Sequence, residues 1–309
     1  MSIRPICPQA NLPFPQYWDD DAPDDIPKFP PITQDEFNCL NLSIAAPRQA
    51  LDEPHRKLLP ILVYIHGGAF IGGSQTVRVG GREIYDGTNL VRSSIKLGRP
   101  IIVVTINYRV GALSFLASSD LAAFNKSHNE AVGNYGLHDQ RQAFLWINKF
   151  IGGFGGDPEN VTIYGTSAGA ASCHYQSLFT ERRFRRAILS SATLFGLGPM
   201  PVEKHQDLFE QFREALVPSG CDSVKQLQEI PVQQFVKAVP LASCHPLLDG
   251  EWVWEQNLHG VSYDPSPPDL MIGACDYQVS HSSGVISILL TLSSARTDRG
   301  CSCLGWRQT

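Results

Sequence analysis

The chain has 309 residues, 43% of them hydrophobic and 18% charged, which supports a sizeable buried core and argues against a disordered polymer. Its net charge of −5 argues against a nucleic-acid partner, which calls for a basic stripe. The longest apolar run near the end, Val285 to Leu292, is far short of the roughly 20 residues that span a bilayer, so no membrane span is expected.

The first residues, Met1 to Pro15, hold no apolar leader, and the expectation from this chain is a cytoplasmic protein. Residues 1–35, rich in Pro and Asp, read as a surface loop. Strand and helix signals then alternate. Ile61–Ile65 and Ile101–Ile106 are continuous apolar runs of the kind found in buried strands. Residues 138–151 form a helical window with Ala143, Leu145, Trp146 and Ile147. Val161–Tyr164 is a β-branched strand, Ala168 to Leu178 a small-residue helix, and Ala187–Leu189 a further strand. Leu208, Phe209, Phe212 and Leu216 mark one face of another helix. Buried strands alternating with helices imply an α/β fold with a mostly parallel central sheet covered by helices on both faces. Residues 279–309 are Ser-rich, lack an amphipathic period, and are expected to pack poorly as a tail beyond a domain of residues 1–278.

Eight cysteines are scattered along the chain without paired C-x-x-C spacing, so no metal site and no cofactor are expected. Trp252 and Trp254 fit either the lining of a substrate pocket or a cover over the core.

Gly165-Thr166-Ser167-Ala168-Gly169 fits the pattern G-x-S-x-G between a strand and a helix. A sharp strand-to-helix turn closes only if the residues two before and two after the serine are small. It then lifts the serine hydroxyl over the carboxyl end of the sheet, beside a helix N-terminus. Ser167 is therefore the candidate nucleophile. His66-Gly67-Gly68-Ala69-Phe70 follows the strand 61–65 directly. A small-residue loop there can aim backbone N–H groups at a developing oxyanion, with Gly68, Ala69 and Ala168 as the candidate donors.

These motifs resemble the type-B carboxylesterase/lipase family, the carboxylesterase and cholinesterase branch of the α/β-hydrolase fold. The resemblance rests on Asp157–Thr162 leading into Gly165–Ser172, on Gly136–Gln140, Leu145–Ile147 and Phe154–Asp157, on Asn38–Leu42, on Val104–Arg109, and on Leu248–Gly250. It covers roughly residues 5–278. It implies a serine hydrolase that cleaves small-molecule carboxylic esters through an acyl-enzyme on Ser167. It also implies a disulfide between Cys7 and Cys39. Neither the ester nor the oligomeric state follows from it.

Three departures stand out. The glutamate that usually precedes the serine is Thr166. The position of the triad acid is Gln278, which carries no negative charge, with Asp276 two residues earlier as a possible substitute. The triad histidine is unknown, since none of the nine histidines sits in the family's context and the chain ends 31 residues after Gln278. The sequence thus reads as the central part of a larger enzyme, truncated at both ends, with impaired activity. The alternative is a catalytically dead cholinesterase-like module or a truncated gene product.

Overall fold

The computed structural model describes residues 4–10, 17–18, 31–52, 57–79, 82–179, 181–216, 224–238, 244–250, 252–253 and 268–274. All of them lie in the compact unit Met1–Ala274. The tail 279–309, Gln278, Asp276 and Trp254 fall outside the described residues.

The strands are β1 (Tyr17–Trp18), β2 (Leu42–Ala45), β3 (Leu59–Ile65), β4 (Arg78–Val79), β5 (Arg82–Glu83), β6 (Ile102–Ile106), β7 (Gly156–Thr166), β8 (Arg186–Ser190) and β9 (Asp269–Gly273). The helices are α1 (Arg48–Asp52), α2 (Thr88–Lys96), α3 (Ala112–Phe115), α4 (Ser119–Ser127), α5 (Tyr135–Phe150), α6 (Ala168–Ser177), α7 (Val202–Leu216), α8 (Val224–Leu227) and α9 (Val232–Lys237). The main sheet has the order β2-β6-β3-β7-β8-β9, and a small sheet has the order β1-β4-β5. Only β2 runs antiparallel in the main sheet, against β6; the pairs β6–β3, β3–β7, β7–β8 and β8–β9 are parallel.

Parallel strands need covered faces, which explains the continuous apolar runs. Every residue of β6 is buried, as are Ile61, Val63 and Ile65 of β3. Each of the Val and Ile side chains contributes about 1.5–3 kcal/mol through its burial. Helix α5 buries Leu137, Gln140, Phe144 and Ile147, a spacing of three and four that defines one helix face. Helix α6 is buried over all ten residues, so only small or hydrogen-bonded side chains fit there. Two of its polar side chains are tied to α5: Gln140 donates to Ser172 Oγ at 3.0 Å, and Gln176 donates to the Leu137 carbonyl at 2.8 Å. Helix α7 turns His205, Phe209, Phe212 and Leu216 inward; the last three join Ala112 and Leu227 in a second, smaller core.

One expectation needs correction. Within residues 1–35, the segment around Ile6 is not a surface loop: Ile6, Cys7 and Gln9 are all 3% exposed or less. The cause is cross-linking to the body of the fold. Cys7 and Cys39 form a disulfide, and Gln9 Nε2 donates to the Gly73 carbonyl at 3.1 Å.

Candidate active site

Strand β7 ends at Thr166 and helix α6 begins at Ala168, so Ser167 alone makes the turn. Its backbone has φ 56° and ψ −125°, a conformation that costs an L-residue of order 1–3 kcal/mol. The turn is held on both sides. The Ser167 N–H donates to the Ser190 carbonyl at 2.9 Å, and the N–H groups of Ala170 and Ala171 donate to the Ser167 carbonyl at 2.8 and 3.0 Å.

The two flanking glycines are required by contact. A Cβ at Gly165 would lie 2.1 Å from the backbone of Gly169, and one at Gly169 would lie 2.1 Å from the Ile65 carbonyl oxygen. Helix α6 therefore starts pressed against the end of β3, where the loop His66–Phe70 begins. The Ser167 side chain does not cap α6, and among the described residues no histidine hydrogen-bonds its hydroxyl.

The loop after β3 is strained in its own right. Gly68, Ala69 and Phe70 have φ of 119°, 53° and 63°, three consecutive positive values of which two fall on non-glycine residues. It is closed by two bonds to the Gly68 carbonyl, from Ile71 at 3.0 Å and from Gly72 at 3.1 Å. Among the described residues no carbonyl accepts from the N–H of Gly68, Ala69 or Ala168. The loop and the serine turn meet: a Cβ at Gly67 would be 3.2 Å from the Ser167 Cβ.

His66 anchors the loop. Its ring is 1% exposed and stacks on Tyr108 at 4.3 Å between centroids. A carbonyl can only accept, so His66 Nδ1 carries the proton it donates to the Gly67 oxygen at 2.9 Å. Burial drives the ring's pKa down to about 4, which keeps it neutral at pH 7. The Tyr108 hydroxyl donates to the His66 carbonyl at 2.9 Å and closes this brace. Tyr108 lies in the run Asn107-Tyr108-Arg109, whose role as a support for the loop was not legible from sequence.

Thr166 sits in a tyrosine cluster. Its hydroxyl donates to the Tyr164 hydroxyl at 3.4 Å, and the Tyr64 ring lies 5.3 Å from Tyr164 and 4.6 Å from Tyr85. Burial pushes the Tyr64 phenol well above its ordinary pKa. Arg109, just after Tyr108, makes a two-pronged ion pair with Asp139, at 2.8 and 2.7 Å. Trp252 is 6% exposed and stacks on Phe179 at 3.7 Å, so it covers the core. Among the described residues, no group of three or more His, Cys, Asp or Glu is placed to hold a metal ion, and no helix is long and apolar enough to cross a membrane.

The sequence profile of the carboxylesterase family matches residues 2–287. The chain belongs to this family. It is 32% identical over 269 residues to Lipase 3 of Yarrowia lipolytica, an alignment that covers 83% of this chain and 49% of the lipase. It is 34% identical over 243 residues to the bile salt-activated lipase of Bos taurus, covering 76% of this chain and 37% of that one. Among solved structures it is similar to a PNB esterase, with TM-score 0.66 and 27% identity over 90% of this chain and 54% of the esterase. A Geobacillus stearothermophilus carboxylesterase is similar at TM-score 0.64 and 29% identity, over 81% of this chain and 50% of that one. The chain thus spans about half the length, or less, of these relatives. Its fold is that of the α/β-hydrolase esterases, with a mostly parallel sheet between helices.

Proposed function

We propose that this carboxylesterase-family chain acts on small-molecule carboxylic esters, with Ser167 as the nucleophile. One observation carries the proposal: a serine held at positive φ on a strand-to-helix turn abuts a loop held at three consecutive positive φ values. Strain of this kind persists only where the surroundings over-determine it, and it gathers at catalytic sites.

In the proposed reaction the Ser167 oxygen attacks the ester carbonyl carbon. The carbonyl electron pair moves onto oxygen, where the N–H groups of Gly68, Ala69 and Ala168 receive the charge. Collapse of this intermediate expels the alcohol and leaves an acyl group on Ser167, which water then removes. The hydroxyl proton needs a base that takes it on attack and hands it to the departing alkoxide oxygen, which leaves as the alcohol. At the family's acid position Gln278 offers an amide without charge to support an imidazolium, so we assign this chain slow turnover. Asp276 is the candidate substitute acid, and no residue is assigned as the triad histidine.

The test is hydrolysis of p-nitrophenyl acetate by purified protein. The expected rate lies well below the ~1–10³ s⁻¹ typical of enzymes, and Ser167→Ala removes what remains. Turnover inside that range would overturn the assignment of an impaired relay. Residual hydrolysis that survives Ser167→Ala would overturn the nucleophile.

A further inference from the structure

We propose that Gln9 is a positioning residue for the oxyanion loop, acting through Gly73. This inference rests on the reading of Gly68 and Ala69 as oxyanion donors and deepens it.

Gln9 is 3% exposed and grips the backbone of one distant residue twice. The Gly73 N–H donates to Gln9 Oε1 at 2.8 Å, and Gln9 Nε2 donates to the Gly73 carbonyl at 3.1 Å. The pair works like one rung of a strand ladder, made by a side chain 64 residues away. Gln9 is itself fixed: its Nε2 also donates to the Cys7 carbonyl at 3.1 Å, and its N–H donates to Gln34 Oε1 at 3.1 Å. The Cys7–Cys39 disulfide and the bond from Asn41 Nδ2 to the Pro5 carbonyl, 2.9 Å, hold the same segment.

Gly73 presses on the peptide that matters. Its φ is 113°, and a Cβ there would lie 2.4 Å from the Gly67 oxygen and 2.7 Å from His66 Nδ1. The Gly67 carbonyl and the Gly68 N–H belong to one planar trans peptide, so they point in opposite directions. Whatever fixes the Gly67 oxygen therefore fixes the Gly68 N–H. The His66 Nδ1–H bond holds that oxygen, and Gly73, clamped by Gln9, closes the space into which the peptide would rotate. Without Gln9 the strained turn Gly68–Phe70 can relax, and the donor swings away from the oxyanion.

The experiment compares the full chain with Gln9→Leu, Gln9→Glu and Ser94→Ala. Ser94→Ala is the stability control. It removes the bond that the Ser94 hydroxyl donates to the Val91 carbonyl and the one it accepts from the Ile101 N–H, just before β6 at the sheet end opposite Ser167. One readout is phosphonylation of Ser167 by a fluorophosphonate, resolved into maximal rate and apparent probe affinity. The loss of one oxyanion donor costs ~10²–10³-fold, and we expect about 10–100-fold slower phosphonylation in Gln9→Leu for a loosened one. Probe affinity stays unchanged, and Ser94→Ala keeps the wild-type rate. Folded Gln9→Leu that reacts at the wild-type rate would overturn the proposal. The second readout, amide exchange over residues 67–73, needs no reaction at Ser167. Faster exchange there in Gln9→Leu but not in Ser94→Ala supports the clamp, and unchanged exchange overturns it. A wild-type Ser167 that never reacts, with exchange still raised in the variant, overturns the nucleophile while the clamp stands. If Gln9→Leu does not fold, Gln9→Glu serves in its place. It keeps the volume and the acceptor, but its carboxylate sets negative oxygen against the Cys7 and Gly73 carbonyls, and the same losses are expected.

Discussion

Gly67 has no side chain because Ser167 stands in the way: a Cβ on Gly67 would be 3.2 Å from the Ser167 Cβ and 2.6 Å from the Thr166 oxygen. This contact sets the loop His66–Phe70 against the serine turn, and it joins two motifs that lie a hundred residues apart in sequence. Gly67→Ala should force them apart. We expect a loss of about 1–3 kcal/mol, the usual cost of overpacking, and slower reaction of Ser167 with a fluorophosphonate. Urea unfolding and labelling rate check both; a variant that matches wild type in each would show that the two segments do not share this joint.

Acid should weaken the fold through two buried histidines. Burial lowers the pKa of both His66 and His174 to about 4. In the unfolded chain each titrates near 6.5. Between these values the unfolded state binds more protons, so stability is fully present above about pH 6.5 and falls as pH drops toward 4. Each histidine contributes a slope of up to about 1.4 kcal/mol per pH unit. Replacing His174 by Phe should remove one such slope from the stability–pH curve. An unchanged curve would mean that His174 is not buried neutral.

The parts of the fold that show in the sequence are those where one physical signal dominates. Strands β3, β6 and β8 are near-continuous apolar runs, and α6 shows its burial through an unbroken run of small and neutral residues. Strand β7 starts at Gly156, five residues before its β-branched run, because Asp157 and Pro158 carry turn chemistry while the backbone already pairs with β3. Strand β2 is four half-buried residues and offers no period to read. In β9 the run Leu270-Met271-Ile272 reads as a buried strand and pairs in parallel with β8, yet all five residues are exposed, so this edge of the sheet departs from the covered faces of the other parallel strands. At the site, the two glycine-rich motifs are visible because sterics dictate their spacing. The supports are not. Gln9 lies two residues after Cys7, whose pairing with Cys39 the resemblance implies, and a lone glutamine there gives no sign of a partner at Gly73.

Reduction should loosen the N-terminal segment. The Cys7–Cys39 bridge closes a loop with a sequence separation of 32. For a loop of that size the chain-entropy model gives about 3–4 kcal/mol. Thermal unfolding with and without dithiothreitol measures the effect, and a loss of that order is expected. Equal unfolding temperatures would show that the bridge adds nothing to stability.

Asp139 should matter more than a surface carboxylate. It is 8% exposed and accepts from the Arg109 N–H, Nε and Nη2 at 3.0, 2.8 and 2.7 Å. Asp139→Ala strands a guanidinium that is only part-exposed, and we expect a loss of about 2–4 kcal/mol, below the cost of a fully buried pair. Denaturant unfolding tests this, and a change under 1 kcal/mol, the value of an exposed pair, would contradict it.

The central claim is that Ser167 is a nucleophile set against an oxyanion loop. Its most direct test is covalent labelling of the folded chain by a fluorophosphonate, with the modified residue located by peptide mass spectrometry. We predict a single adduct on Ser167, abolished in Ser167→Ala and absent from unfolded protein, even where ester turnover is slow. No adduct on folded protein, or an adduct elsewhere that persists in Ser167→Ala, would contradict the account.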